Sequence, residues 1–153
     1  MIASYVSHLN TCNFCCNSHS SAAACHLGGN DSLINEVKNN PFTSPISDKM
    51  KALLNIACKV QQNGKLATKE DFEKARKAGA TDEELHEAVL IAAAFCMYNR
   101  YVDGLGTLEP EDKEEYKEMG ERMANKGYGF PPFAWLRRHI NRTRNKKIAA
   151  KKK

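Results

Sequence analysis

The sequence predicts an all-α fold, a helical bundle formed by a single domain. Apolar residues recur three and four positions apart in successive segments, which is the spacing of one face of a helix. No segment shows the alternation of apolar and polar residues that is typical of a strand, and no internal repeat is visible. The length of 153 residues and the 42% share of hydrophobic residues suit one globular domain.

The first two predicted helices lie on either side of a short turn. The first covers residues 1–9, whose apolar positions fall on one helical face: Ile2, Tyr5, Val6 and Leu9. The second runs from about Cys12 to about Leu27, through a run of small residues, and two glycines then end it. Four of the six cysteines therefore belong to this second helix, three of them to its first turns.

The middle of the chain predicts a connection followed by two helices. Two prolines in residues 40–47 mark the connection, and Asp48 caps a helix that continues to Val60. Thr68 begins the next helix, over residues 68–78, because an acid three residues later completes a capping box.

The longest predicted helix runs from Asp82 to about Val102. It is apolar on most sides between Leu90 and Met97, which favours a central position in the bundle. The polar residues at its end, Asp103 among them, suit either a pocket or an ion pair at the helix terminus.

The last helix and the C-terminal segment differ in charge. Residues 110–126 predict a strongly charged helix on the surface. We assign residues 1–135 to the helical domain and residues 136–153 to a disordered basic tail. Nine basic residues and no acid follow Trp135, which leaves 14 basic against 18 acidic residues, a net charge of −4, for the rest. Because the body is acidic, nucleic-acid binding is not expected.

No membrane or secretory segment is predicted. The longest apolar run, residues 88–97, is about half the length that a membrane-spanning helix needs. The first ten residues lack the basic start and the cleavage site of a secretory signal. We therefore expect a cytoplasmic protein, where clustered cysteines more often serve catalysis or metal binding than structural disulfides. Cys58 and Cys96 lie in apolar contexts and are predicted to be buried and inert.

The cysteine cluster, TCNFCCNSH, has the spacing of a thiol redox site. On a helix Cys12, Cys15 and His19 fall within an arc of about 60°, so a disulfide and a hydrogen bond from the imidazole are both within reach. The helix N-terminus and the imidazole are expected to lower the pKa of a cysteine there. Cys16 also lies close enough to reach Cys12, and spacing alone does not choose between Cys15 and Cys16.

Two other uses of the cluster fit the sequence less well. A zinc ion needs a fourth ligand, for which the chain offers Cys25 or His26, but one continuous helix cannot surround an ion with four ligands. Covalent haem attachment requires a histidine directly after the second cysteine, where this chain has Cys16.

Two segments resemble a known family. IASYVSHLNTCNFCCNSHSSAAA is similar to the signature helix of the alkylhydroperoxidase D-like, or carboxymuconolactone decarboxylase, family. GATDEELHEAVLIAAAFCMYNRYVDGLGT is similar to the second characteristic segment of its peroxidase-related branch. With the helix between them, the resemblance covers roughly residues 1–128.

The resemblance implies an oligomeric helical protein that reduces peroxides through a dithiol/disulfide cycle. By the resemblance, Cys15 attacks the peroxide, Cys12 forms the disulfide with it, and His19 relays the proton. An external thiol or dithiol recharges the site, and no cofactor or metal is expected. The alternative is a weakened helical assembly or zinc-binding module that keeps the fold.

The sequence departs from the family pattern in one respect. The family's proton relay includes a glutamate on the preceding helix, at a register that falls immediately before Met1. A carboxylate of this kind fixes the tautomer of its imidazole partner and stabilises its charged form. The expectation is a truncated or differently started version of the family and a weak peroxidase.

Overall fold

The computed structural model describes residues 1–128, which form a bundle of α-helices with one short 3₁₀ turn and no strand. The helices, in chain order, are α1 (Ile2–Leu9), α2 (Asn13–His26), α3 (Asp31–Asn39), α4 (Asp48–Gln62), α5 (Lys69–Lys77), α6 (Asp82–Gly104) and α7 (Lys113–Lys126). The predicted all-α class is therefore confirmed, and helix ends lie within a few residues of those expected. The predicted basic tail, residues 136–153, lies outside the described residues.

The core of the bundle lies between α1, α4 and one face of α6. Val6 on α1 and the trio Leu54, Ile56 and Ala57 on α4 are fully buried. Helix α6 buries one face against them, but on its other face Leu90 and Met97 are 57% and 58% exposed. The prediction of a central α6 is wrong because its all-round apolar character reflects one core-facing stripe and one exposed stripe.

Helix α4 is joined to α5 by a buried carboxylate. Asp71 accepts hydrogen bonds from Lys59 at 2.7 and 2.6 Å, from Asn55 at 3.0 Å, and from the backbone and hydroxyl of Thr68 at 2.9 and 3.0 Å. Burial alone raises the pKa of Asp71, but the Lys59 ammonium and the Thr68 donors outweigh it and lower that pKa to about 2. Every oxygen of this carboxylate is thus satisfied.

Helix α7 packs along α2 instead of lying free on the surface. Tyr116 and Gly120 are its buried positions. A Cβ on Gly120 would lie 2.5 Å from the backbone carbon of Ser21, so the two helices meet at backbone contact distance. The prediction of a surface helix is correct for the charged face of α7. It is wrong for the face that carries Tyr116 and Gly120, because these two residues pack against α2.

Candidate active site

The turn between α1 and α2 is held by a network of amide side chains. Thr11 adopts a left-handed backbone with φ of 58°, which lets the chain reverse within two residues. Asn10 donates to the Asn99 side chain on α6 at 2.8 Å and accepts from Gln61 on α4 at 2.8 Å. Asn99 in turn donates to Ser7 at 3.0 Å. This network fixes where α2 begins and therefore where its first cysteine lies.

Cys12 is the N-cap residue of α2, in extended conformation, and its thiol is fully buried. It makes no capping hydrogen bond of the kind that serine would make. Burial, the neighbouring Asp103 side chain and the Cys15 thiol together raise the pKa of Cys12 to about 12, although the Cys15 backbone N–H opposes them. The expectation of a lowered pKa is therefore not met at Cys12, because burial outweighs the helix N-terminus.

Asp103 reaches this thiol because α6 runs antiparallel to α2. In α2, His19 lies against Phe95, near the middle of α6. Cys12 comes seven residues before His19, and it lies against Asp103, which comes eight residues after Phe95. Asn99, one turn before Asp103, already contacts Asn10. The sequence placed Asp103 only at a helix end, with a pocket and an ion pair as equal alternatives.

Cys15 and Cys16 face different neighbours. Both are buried, at 5% and 7% exposure. The Cys16 Sγ lies 4.0 Å from the Ser20 Oγ, which contacts the Ser4 Oγ on α1 at 2.7 Å. Cys15 is instead the cysteine whose thiol neighbours Cys12. Cys16 is linked through Ser20 to α1, and the choice between Cys15 and Cys16 as the partner of Cys12 stays a prediction.

His19 is half-buried between α6 and the end of α7. Its ring lies edge-on to Phe95 with centroids 4.6 Å apart, and its Nε2 is 3.0 Å from the Tyr128 hydroxyl. Burial and the positive charge of the Met1 amino group together lower the pKa of His19 to about 4. The imidazole is therefore neutral at pH 7 and able to accept a proton.

Two tyrosines that the sequence alone did not single out complete the site. Tyr128 contacts His19, and the Tyr116 ring lies 6.3 Å from the Phe14 ring, within the cysteine motif itself. For Tyr116, the signal in the sequence was the spacing of the few apolar residues in an otherwise charged helix. That spacing did not indicate which other helix these residues would pack against.

The described residues contain no group of three or more potential ligands arranged to hold a metal ion. Helix α2 is continuous from Asn13 to His26. Cys25 and His26, the nominal fourth ligands for zinc, therefore lie about 15 to 20 Å along the helix from Cys15 and Cys12. All six cysteines have free thiols. Cys58 and Cys96 are partly exposed, so the prediction that they are buried is wrong.

None of the helices in residues 1–128 combines the length and apolar character needed to cross a membrane.

No family model and no curated protein matches the chain. Among solved structures, the chain is similar to an uncharacterized peroxidase-related protein from Ralstonia eutropha JMP134, described as an alkylhydroperoxidase AhpD core. The TM-score is 0.69 and the identity 26%, over 78% of this chain and 61% of that one. An uncharacterized peroxidase-related protein from Silicibacter sp. TM1040 matches in fold with a TM-score of 0.65 and 24% identity, over 76% of this chain and 59% of that one.

The chain therefore has the AhpD-like helical fold of peroxidase-related proteins, as the two sequence segments predicted. It spans about three fifths of the length of each of these structures.

Proposed function

We propose that this chain, with its AhpD-like fold, is a thiol-dependent peroxidase-type oxidoreductase that uses Cys12, Cys15 and His19. The observation that carries the proposal is the pairing of two buried thiols at the start of α2 with a neutral imidazole one turn later. A neutral imidazole accepts a thiol proton, and a neighbouring second thiol allows a disulfide to form. The peroxidase-related structural relatives support the same class of reaction.

The first step oxidises Cys15. His19 accepts the proton of the Cys15 thiol, and the thiolate sulfur attacks one oxygen of the peroxide. An S–O bond forms, the O–O bond breaks, and the leaving oxygen takes the proton from His19 to depart as an alcohol or water. The peroxide is reduced by two electrons, and Cys15 becomes a sulfenic acid.

The second step uses Cys12, whose raised pKa makes it a poor initial nucleophile. The Cys12 sulfur attacks the sulfenic acid, so the S–S bond forms, the S–O bond breaks and water leaves. The neighbouring Asp103 carboxylate takes the Cys12 proton and passes it to the departing hydroxide, which leaves as that water molecule. An external thiol or dithiol then reduces the disulfide and restores both thiols.

We propose that the protein is a homo-oligomer whose subunits associate through the exposed face of α6. Side chains at intervals of seven and four residues form one apolar stripe there, exposed by 57%, 58%, 65% and 66% at Leu90, Met97, Tyr101 and Leu105. A stripe of this kind on a helix favours a protein partner. Met97→Glu should lower the mass measured by light scattering, whereas Glu87→Ala on the same helix should not.

A second candidate is a helical assembly that keeps the fold without peroxide reduction. It is favoured by the burial of Cys12 and Cys15, which are 0% and 5% exposed. Buried thiols in apolar surroundings are usually inert.

The experiment that separates the two candidates follows the cysteines directly. The protein is reduced, mixed with one equivalent of hydrogen peroxide, and its cysteine peptides are analysed by mass spectrometry over time. The peroxidase proposal expects a rapid Cys12–Cys15 disulfide while Cys58 and Cys96 stay free. Slow or scattered oxidation across the cysteines would instead favour the non-catalytic assembly.

A further inference from the structure

Tyr116 of α7 has a buried hydroxyl group that no described residue satisfies. The residue is 6% exposed, and its hydroxyl is the single buried side-chain oxygen or nitrogen atom in residues 1–128 that lacks a hydrogen-bond partner. Asn17 lies nearby, but its side chain does not complete a hydrogen bond with this hydroxyl. Because an unpaired buried hydroxyl costs stability, a phenylalanine would suit this packing position better.

The position of this hydroxyl is set by the contact between α2 and α7. The Tyr116 ring packs at 6.3 Å from Phe14, the residue before Cys15. One turn later Gly120 holds α7 at backbone contact with Ser21, so the tyrosine cannot move away without separating the helices. Burial raises the pKa of Tyr116, and the Asn17 side chain partly offsets this rise. Negative charge on Glu109, Cys12 or Cys15 raises the pKa further, which keeps the phenol protonated beside a thiolate.

We propose that the Tyr116 hydroxyl donates a hydrogen bond to the peroxide oxygen at Cys15 and so binds and orients the substrate. The inference rests on the proposed peroxidase function and adds to it a substrate-binding residue on α7. Its missing partner is then the substrate oxygen, which is the atom that enters the site. Tyr116 keeps its proton throughout, since His19 supplies the proton of the leaving oxygen.

This role has a specific chemical consequence. The oxygen attacked by sulfur and the oxygen that leaves both gain electron density as the O–O bond breaks. A donor aimed at either one is worth more in the transition state than in the resting site. The loss of one such hydrogen bond should slow the reaction about tenfold or more.

The test compares Tyr116→Phe with wild type and with Tyr5→Phe. Tyr5 is an equally buried tyrosine, 5% exposed, whose hydroxyl interacts with Cys58 away from the site. Three quantities are measured for each protein: the rate of Cys12–Cys15 disulfide formation with hydrogen peroxide, the rate of Cys15 alkylation by iodoacetamide, and the melting temperature. Iodoacetamide reports thiolate reactivity without a peroxide oxygen to bind.

We expect Tyr116→Phe to react with peroxide about tenfold or more slowly. Its alkylation rate should stay the same and its melting temperature should be equal or higher. Tyr5→Phe should match wild type with both reagents. If the wild type forms the disulfide and Tyr116→Phe forms it at the same rate, the role of Tyr116 is overturned while the peroxidase proposal stands. The same conclusion follows if Tyr116→Phe is slowed equally with peroxide and with iodoacetamide. A wild type that forms no Cys12–Cys15 disulfide would overturn the peroxidase proposal together with it.

Discussion

The α4–α5 junction and the α2–α7 contact both bury polar side chains, and they treat them in opposite ways. At the α4–α5 junction the Asp71 carboxylate receives five hydrogen bonds, including two from Lys59 at 2.7 and 2.6 Å. At the α2–α7 contact the Tyr116 hydroxyl receives none from described residues, and the Cys12 thiol makes no capping bond.

The difference teaches where this chain obtains stability and where it keeps reactive groups. A buried carboxylate with all its hydrogen bonds strengthens the contact between two helices. Buried polar groups without hydrogen-bond partners cost stability, and they persist where they serve binding or catalysis.

The largest expected effect is at Asp71. Asp71→Asn leaves the Lys59 ammonium, which is 33% exposed, without its buried counter-charge. Removal of one partner from a pair of this kind should lower the free energy of unfolding by about 3 kcal/mol. Urea unfolding followed by circular dichroism measures this change.

The matched control for Asp71 is Glu73 on the same helix. Glu73 contacts Lys69 at 3.6 Å with its side chain 49% exposed, so Glu73→Ala should change stability by less than about 0.5 kcal/mol. Equal losses for the two variants would mean that the hydrogen bonds of Asp71 do not distinguish the α4–α5 junction.

The next effect is at the α2–α7 contact. In Gly120→Ala the new Cβ would lie 2.5 Å from the Ser21 backbone and 2.7 Å from the Ala22 nitrogen, so α7 must shift away from α2. We expect a loss of about 2 kcal/mol, since overpacking outweighs the better helix propensity of alanine. Alkylation of Cys15 should become faster because the cover over the thiols loosens.

Gly104 provides the control for this substitution. It is also helical, at the end of α6, and no atom lies within 4 Å of the position that a Cβ would take there. Gly104→Ala should leave stability unchanged or raise it by up to about 1 kcal/mol, with no change in alkylation. Faster alkylation in Gly104→Ala would show that thiol access does not depend on the α2–α7 contact.

The sequence predicted the parts of this picture that depend on local signals. Helical periodicity and the capping box at Thr68 were enough for the all-α class and for most helix bounds. Cys12, Cys15 and His19 could be placed on one helix because their spacing is local. Helices cover one another through contacts between distant residues, so neither the role of α7 nor the Asp103–Cys12 proximity could be read from spacing.

The α2–α7 contact and the α4–α5 junction should also lose stability in different pH ranges. The pKa of His19 is lowered to about 4, so the unfolded chain binds a proton at His19 from about pH 6.5 downward while the folded chain does not until about pH 4. Stability is therefore full above pH 6.5 and falls between pH 6.5 and 4, by about 2 kcal/mol after allowance for partial exposure.

Asp71 acts in a lower pH range than His19. Its pKa is lowered from 3.8 to about 2, so its contribution is complete above pH 4 and is lost only as the pH falls toward 2. Unfolding measured from pH 7 to 4.5 should thus show a slope that His19→Gln removes. The exposed His86 is the control, and His86→Gln should keep that slope. A slope that survives in His19→Gln would assign it to another group.

The smallest expected effect separates two adjacent cysteines of α2. Cys16 contacts Ser20, which links α2 to α1 through Ser4, and so it lies on the side of α2 that faces α1. Cys16→Ser should change the rate of Cys12–Cys15 disulfide formation by less than about twofold, while Cys15→Ser should abolish peroxide consumption. A Cys12–Cys16 disulfide that forms at the wild-type rate in Cys15→Ser would contradict this, because it would move the reactive thiol to the side of α2 that faces α1.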